Sequence, residues 1–139
     1  MYSFVDFDTV QNLPDVLAAK ELAAAIGLSI SRTHELLDEM RIPYVRLGKR
    51  KVIFKEHLLE GLSGKNIFTD VAKLKVIVNL PKVFAPCHLK GVFGISTGYS
   101  YTVVRLPDFP ATYTRNCFVV NKQGLIEWIR KKEIYTRKE

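Results

Sequence analysis

The stretch LAAAIGLS at residues 22–29 joins two helical patterns across a three-residue corner. Apolar residues spaced three to four apart predict a short helix over residues 18–26. Gly27 ends that helix, because glycine adopts the left-handed conformation in which many helices terminate. Ser29 can then cap a second helix, which we expect to run to about Met40. Two short helices meeting at such a corner are typical of a helix-turn-helix.

The second helix has an apolar side and a polar side. The apolar side is predicted to contain Ile30, Thr33, Leu36, Leu37 and Met40. The outward side is predicted to contain Ser31, Arg32 and Glu35.

A basic hairpin is predicted after these helices. Pro43 interrupts the helical pattern. Residues 44–47 and 51–54 then have the apolar, β-branched character of two strands around a turn. The hairpin carries four cations within six residues, namely Arg46, Lys49, Arg50 and Lys51. A solvated hairpin would not need so many, whereas a hairpin that contacts a phosphate backbone would. A last helix over residues 55–62 completes the pattern of a winged helix-turn-helix.

The same pattern occurs twice along the chain. With a shift of 67 residues, positions 12–62 align with positions 79–129 without a gap. The identical pairs include Leu22/Leu89, Gly27/Gly94, Ser29/Ser96, Pro43/Pro110 and Lys55/Lys122. Many of them are residues that backbone geometry restricts, which indicates two copies of one small domain.

These segments resemble the excisionase-type domains of the MerR superfamily. In the first copy the resemblance rests on LAAAIGLS at 22–29, VRLGKR at 45–50 and LLEGL at 58–62. In the second copy, PDFP at 107–110 and LIEWI at 125–129 resemble the AlpA-type relatives. The resemblance implies that the second helix of each copy enters the DNA major groove. It also implies that the wing lies on the adjacent backbone or minor groove.

The predicted fold class is therefore α+β, mainly α, with two tandem winged helix-turn-helix domains. Domain 1 is expected over residues 1–66 with an N-terminal extension, and domain 2 over residues 67–139 with a basic C-terminal tail. Residues 2–10 and 67–78 precede the two copies at equivalent places. We expect each segment to pack on its own domain or to form the contact between domains, and a simple core role is preferred.

The candidate DNA-contacting residues follow from the resemblance. In domain 1, Arg32 and Ser31 are expected to contact base edges, since an Arg can bond to guanine bidentately. Glu35 shares their face, and the four wing cations are expected to hold the backbone. In domain 2 the corresponding set is Thr97, Tyr99, Thr102, Tyr113 and Arg115. The second wing has a single cation, so the first domain is expected to bind DNA more strongly.

The charge is concentrated in the second half of the chain. Of the 139 residues, 47% are hydrophobic and 25% are charged, and the formal net charge is +7. Residues 1–70 contain nine Lys/Arg and ten Asp/Glu, whereas residues 71–139 contain twelve and four. A basic half favours a polyanionic partner, nucleic acid before membrane.

Other classes of function have little support in the sequence. The N-terminus lacks a signal-peptide pattern and no apolar run could span a membrane, so a cytoplasmic protein is expected. Cys87, His88 and Cys117 could bind a metal, but a closed zinc site normally needs four ligands. Both cysteines are predicted instead to be small buried hydrophobic residues, as free cysteines usually are. Neither a metal nor a cofactor is expected. His57 is predicted at the surface. His34 lies beside the predicted recognition face and could contact DNA or pack, and the packing interpretation is preferred.

The expected function is sequence-specific binding of double-stranded DNA for a mobile element, without catalysis. The role would be excisionase-like, as a recombination directionality factor, or that of an accessory factor in plasmid replication, transfer or partition. An integrase, a relaxase or a replication protein would be the protein partner. A transcriptional repressor is one alternative, and a DNA-binding adaptor whose second domain recruits a protein is another. We expect a monomer with an internal pseudo-dimer, or weak self-association on DNA.

Overall fold

The structure, a computed structural model, describes residues 7–47, 50–64 and 68–132. These residues form two compact units. Unit 1 contains the described residues up to Thr69, and unit 2 is Asp70–Lys132. The predicted boundary between residues 66 and 67 lies outside the described residues. Each unit combines helices with one three-stranded sheet, which confirms the mixed helix and strand content.

Unit 1 begins with a one-turn helix. One strand of its sheet then precedes two longer helices, and the other two strands follow them. In chain order its elements are α1 Phe7–Gln11, β1 Val16–Ala18, α2 Ala19–Ile26, α3 Ile30–Glu39, β2 Val45–Leu47, β3 Arg50–Phe54 and α4 Lys55–Leu62. The strands are antiparallel in the order β1-β3-β2. The helices that the sequence predicted over residues 18–26, 30–40 and 55–62 are confirmed to within one residue.

Unit 2 follows the same order of elements. These are a 3-10 turn Val71–Lys73, α5 Lys75–Val78, β4 Val83–Phe84, a 3-10 turn Pro86–His88, α6 Leu89–Phe93, α7 Thr97–Val104, β5 Ala111–Thr114, β6 Cys117–Asn121 and α8 Lys122–Lys132. The antiparallel strand order is β4-β6-β5. The first helix predicted for this copy is divided into a 3-10 turn and α6, with Pro86 at the start of the turn.

The helical corners of the two units have the same backbone geometry. Gly27 and Gly94 end α2 and α6 at φ values of 73° and 65°, a region that a side chain disfavours. Two residues later, the hydroxyls of Ser29 and Ser96 cap α3 and α7 by accepting a backbone N–H at 3.1 Å in each unit. The identical residues of the repeat therefore occupy the positions that set the angle between the helices.

A lysine at the start of the last helix ties each unit together in the same way. Lys55 Nζ donates to the carbonyl oxygen of Gln11, the last residue of α1, and to the carbonyl oxygen two residues later, at 3.1 and 3.0 Å. Lys122 Nζ donates to Val78, the last residue of α5, and again to the carbonyl two residues later, at 3.2 and 3.1 Å. The repeated lysine thus satisfies carbonyls at the end of the first helix of its unit.

The core of unit 1 includes residues from every helix. Val10, Leu22, Leu37 and Leu58 are each at most 1% exposed. The predicted apolar side of α3 is confirmed with one exception. Ile30, the first residue of α3, is 50% exposed, although Thr33 three residues later is fully buried.

Two further sequence predictions about burial are wrong. His57, predicted at the surface, is fully buried. Its Nε2 lies 2.8 Å from the carbonyl oxygen of Thr69, and its ring makes edge contacts with Phe54 and Phe68. Cys87 and Cys117, predicted to be buried, are exposed. Cys87 lies in a short surface turn and Cys117 opens a strand at the hairpin end, beyond the core of unit 2.

Candidate nucleic-acid interface

The outward face of α3 carries the side chains that the sequence assigned to base contact. Ser31, Arg32 and Glu35 are all exposed. Arg32 Nη1 donates to Glu35 Oε1 at 3.0 Å, and the two side chains are 48% and 65% exposed. Because such an exposed pair contributes little stability, a ligand can displace it at small cost. Arg32 is therefore exposed and available for contact.

The β2–β3 hairpin differs from its prediction at one cation. Arg46 and Arg50 are exposed, as a phosphate contact requires, while Lys49 lies outside the described residues. Lys51 is only 9% exposed, since its ammonium lies over the Tyr44 ring at 4.4 Å from the centroid. The Arg46 guanidinium lies 6.0 Å from the same centroid. Lys51 is thus a cation–π partner of a buried tyrosine, in a position poorly suited to a phosphate contact.

His34 belongs to α3 and lies within electrostatic reach of the hairpin cations Arg46 and Lys51. It is partly buried, as the packing interpretation predicted. Burial lowers the pKa of its imidazole, and the positive charges of Lys51 and Arg46 lower that pKa further, against an opposing effect of Asp38. The ring is therefore neutral at pH 7, and the charge of this face comes from its lysine and arginines.

We expect the His34→Gln variant to lose part of the acid sensitivity of the protein. The pKa of His34 is lowered in the folded state, so the unfolded chain binds its proton first as the pH falls below the usual value of about 6.5. The free energy of unfolding of the native protein should therefore fall more steeply with acidification below that pH than that of the variant. Urea denaturation of both proteins over this range checks this, and parallel curves would contradict it. His57 and His88 are present in both proteins and cancel.

Unit 2 presents a different set of side chains at the equivalent positions. Thr97 and Thr102 are exposed on α7, and Tyr99 is partly buried. Tyr113 on β5 is 60% exposed. Arg115 and the next residue form a two-residue hairpin turn, both with positive φ, at 49° and 65°. The β5–β6 hairpin is thus tight and has one cation at its tip.

The two units also differ in electrostatics. The described part of unit 1 contains seven Lys/Arg and eight Asp/Glu, whereas unit 2 contains ten and three. The helix α3 carries Glu35, Asp38 and Glu39, but α7 has no acidic residue, and Arg105 takes the place of Asp38. The more basic hairpin, β2–β3, and the less acidic helix, α7, therefore belong to different units.

Ion pairs neutralise part of the basic C-terminal helix. Arg130 donates to both carboxylate oxygens of Asp70, at 2.7 and 3.2 Å, and Lys132 Nζ lies 2.7 Å from an oxygen of Asp108. The hydrogen bond from Arg130 holds the pKa of Asp70 below its usual range. The basic segment that the sequence assigned to a polyanionic partner is thus in part structural.

The sequence prediction missed two residues on the face of unit 2 that contains the hairpin. Arg105 follows α7, and its guanidinium lies 5.7 Å from the centroid of the Phe118 ring on β6. Arg105 and Phe118 could both have been found by aligning the chain with itself at a shift of 67 residues. They stand where the first copy has Asp38 and Lys51. Such charge-to-aromatic and acid-to-base changes mark a surface on which the two copies differ in chemistry.

Comparison of the chain with known protein families, curated proteins and solved structures gave no match. Within residues 7–47, 50–64 and 68–132, no three His, Cys, Asp or Glu side chains are grouped as metal ligands. None of the helices in these ranges is long and apolar enough to cross a membrane.

Proposed function

We propose that this protein binds double-stranded DNA in a sequence-specific manner through two tandem winged helix-turn-helix units, and that it acts by binding rather than catalysis. One observation carries the proposal. A serine-capped helix exposes Ser31 and Arg32 in the same small unit as a hairpin that exposes Arg46 and Arg50. Recognition of duplex DNA combines base contacts from a helix with phosphate contacts from separate cations.

In this proposal Arg32 is the principal base contact of unit 1. Its guanidinium would leave Glu35 and donate two hydrogen bonds to a guanine in the major groove, and Glu35 could then accept from a neighbouring cytosine amino group. Arg46 and Arg50 would contact phosphates and fix the register of the helix. The buried Lys51 would support the hairpin instead of contacting DNA.

Unit 2 would bind a second half-site. Thr97 and Thr102 would face the duplex from α7, with Tyr99 and Arg115 as further contacts. Because the two units are covalently linked, binding of the first raises the local DNA concentration for the second. Half-sites about 10–10.5 bp apart would place both recognition helices on one face of the duplex.

The resemblance to excisionase-type domains favours a role in a mobile element, as a recombination directionality factor or as an accessory protein of plasmid replication, transfer or partition. Transcriptional repression would use the same contacts. An adaptor whose unit 2 binds a protein is favoured by the exposed apolar side chains of that unit, including Val83 at 52% and Leu106 at 38% exposure. Thr97→Ala and Thr102→Ala variants that leave DNA affinity unchanged would favour the adaptor.

The Arg50→Ala variant tests the proposed wing contact. It should weaken binding to all duplex sequences and reduce the slope of log affinity against log salt by about one, because one phosphate contact is lost. Fluorescence anisotropy at several salt concentrations on specific and random duplexes measures this slope. Lys20→Ala removes the same charge from the exposed surface of α2 and should leave the slope unchanged. Equal slopes for Arg50→Ala and the native protein would remove the hairpin from the interface.

A further inference from the structure

Unit 2 contains an open groove of about 540 Å³ beside α7 and the β5–β6 hairpin. We call it the aromatic groove. Its walls include Tyr101 and Arg105 from the α7 side, and Tyr113, Asn116 and Phe118 from the hairpin. Its volume falls in the range of sites that bind small organic groups.

Aromatic rings and one guanidinium form much of the groove surface. Tyr113 is 60% exposed, and its ring packs edge-on against Phe118 with 4.9 Å between centroids. Tyr101 is 41% exposed. The Arg105 guanidinium lies over the Phe118 ring at 5.7 Å. The groove thus combines exposed aromatic surface with a positive charge, and none of its lining residues is acidic.

In unit 1, different residue types stand at the positions that align with the groove and its neighbours. Tyr44 stands where unit 2 has Ala111, and its buried ring is covered by Lys51. Tyr101 and Arg105 of unit 2 correspond to His34 and Asp38. Unit 1 therefore has a buried tyrosine and a cationic hairpin at this place, whereas unit 2 has exposed tyrosines and an arginine.

We propose that the aromatic groove binds an unpaired nucleotide, with its base stacked on Tyr113 or Tyr101 and its phosphate paired with Arg105. Aromatic side chains beside a positive charge are the usual platform for single-stranded nucleic acid. The groove wall includes Asn116, which adjoins the proposed DNA contact Arg115 in the hairpin turn, and the high positive charge of unit 2 complements a polyanion. An acidic peptide is the competing occupant, but it would not explain why the groove adjoins a proposed DNA contact. The proposal rests on the proposed function, and it adds that the protein prefers DNA with unpaired bases.

The test uses the full chain and three fluorescent probes. These are a perfect duplex, the same duplex with a short run of unpaired thymines in one strand, and an oligo(dT) strand. Tyr113→Ala should weaken binding to the last two by about 5- to 150-fold, as loss of one stacked base predicts, with little change on the perfect duplex. Tyr113→Phe retains the ring and should bind like the native protein. Val78→Ala, which truncates another exposed side chain of unit 2, should change nothing.

Three results would overturn the groove proposal. The first is an equal loss for Tyr113→Ala on all three probes, which would make Tyr113 a duplex contact. The second is no loss on any probe. The third is a native protein that ignores oligo(dT) but binds a glutamate–tyrosine copolymer through Tyr113, which would identify a peptide site. Binding to the perfect duplex separates the two proposals, because its absence defeats the proposed function as well, whereas duplex binding with no preference for unpaired bases defeats the groove alone.

Discussion

Arg32→Ala should relax discrimination at one base position by about 1–3 kcal/mol, the value of a bidentate contact to a base edge. The expectation follows from its place on α3, where the guanidinium is exposed and pairs with the exposed carboxylate of Glu35. The measurement is the ratio of affinities for the selected DNA site and for single-base variants of it. Only one position of the site should lose its preference.

Arg32→Lys is the matched control for this prediction. Lysine retains the positive charge but lacks the planar pair of donors, so it should keep the salt slope while losing most of the discrimination. Arg50→Ala should show the reverse, a reduced salt slope with discrimination intact. An equal loss of affinity for Arg32→Ala on specific and random DNA would contradict the assignment and make Arg32 a backbone contact.

Leu37→Ala should lower the free energy of unfolding by about 2–5 kcal/mol, whereas Ile30→Ala on the same helix should change it by less than about 1 kcal/mol. Leu37 is 1% exposed in the core of unit 1, and Ile30 is 50% exposed. A unit of this size has little stability to spare, so the Leu37 variant should lose the fold of unit 1 at moderate temperature.

Urea denaturation followed by circular dichroism checks this pair of variants. Both substitutions remove large aliphatic side chains from α3, so their effects on helix propensity are similar and the difference isolates burial. Similar losses of unfolding free energy in the two variants would show that the Ile30 side chain is buried in solution. The Leu37 variant should also lose DNA affinity at temperatures where unit 1 unfolds, whereas the Ile30 variant retains the folded unit.

The helices could be predicted because local chemistry specifies their ends. Gly27 and Ser29 determine where α2 stops and α3 starts, and the 67-residue repeat transfers both assignments to Gly94 and Ser96. The exposed face of α3 followed from periodicity in the same way. These features depend on residues within one helical turn of each other, so sequence is sufficient for them.

Burial at the ends of elements could not be predicted in this way. His57 lies on the inner side of α4, where the carbonyl oxygen of Thr69, twelve residues later, accepts a hydrogen bond from its Nε2. The sequence predicts that Lys51 contacts a phosphate. In the structure its ammonium instead lies over the ring of Tyr44, seven residues earlier. Cys117 has a residue type that favours burial, yet it lies beyond the edge of the core. Each of these depends on a partner that periodicity does not identify.

The sequence alone determined that one unit of helices and a hairpin is used twice, since the repeated glycines and serines act through their own backbone or its nearest turns. Only the tertiary structure decided which side chains of the two surfaces are buried and which are exposed. Tyr44 and Lys51 pack together in unit 1, whereas unit 2 has Ala111 and Phe118 at those positions and an open groove beside Tyr113. The physical reason is that a side chain's exposure depends on the volume of its neighbours across the sheet and helix, and those neighbours are distant in sequence.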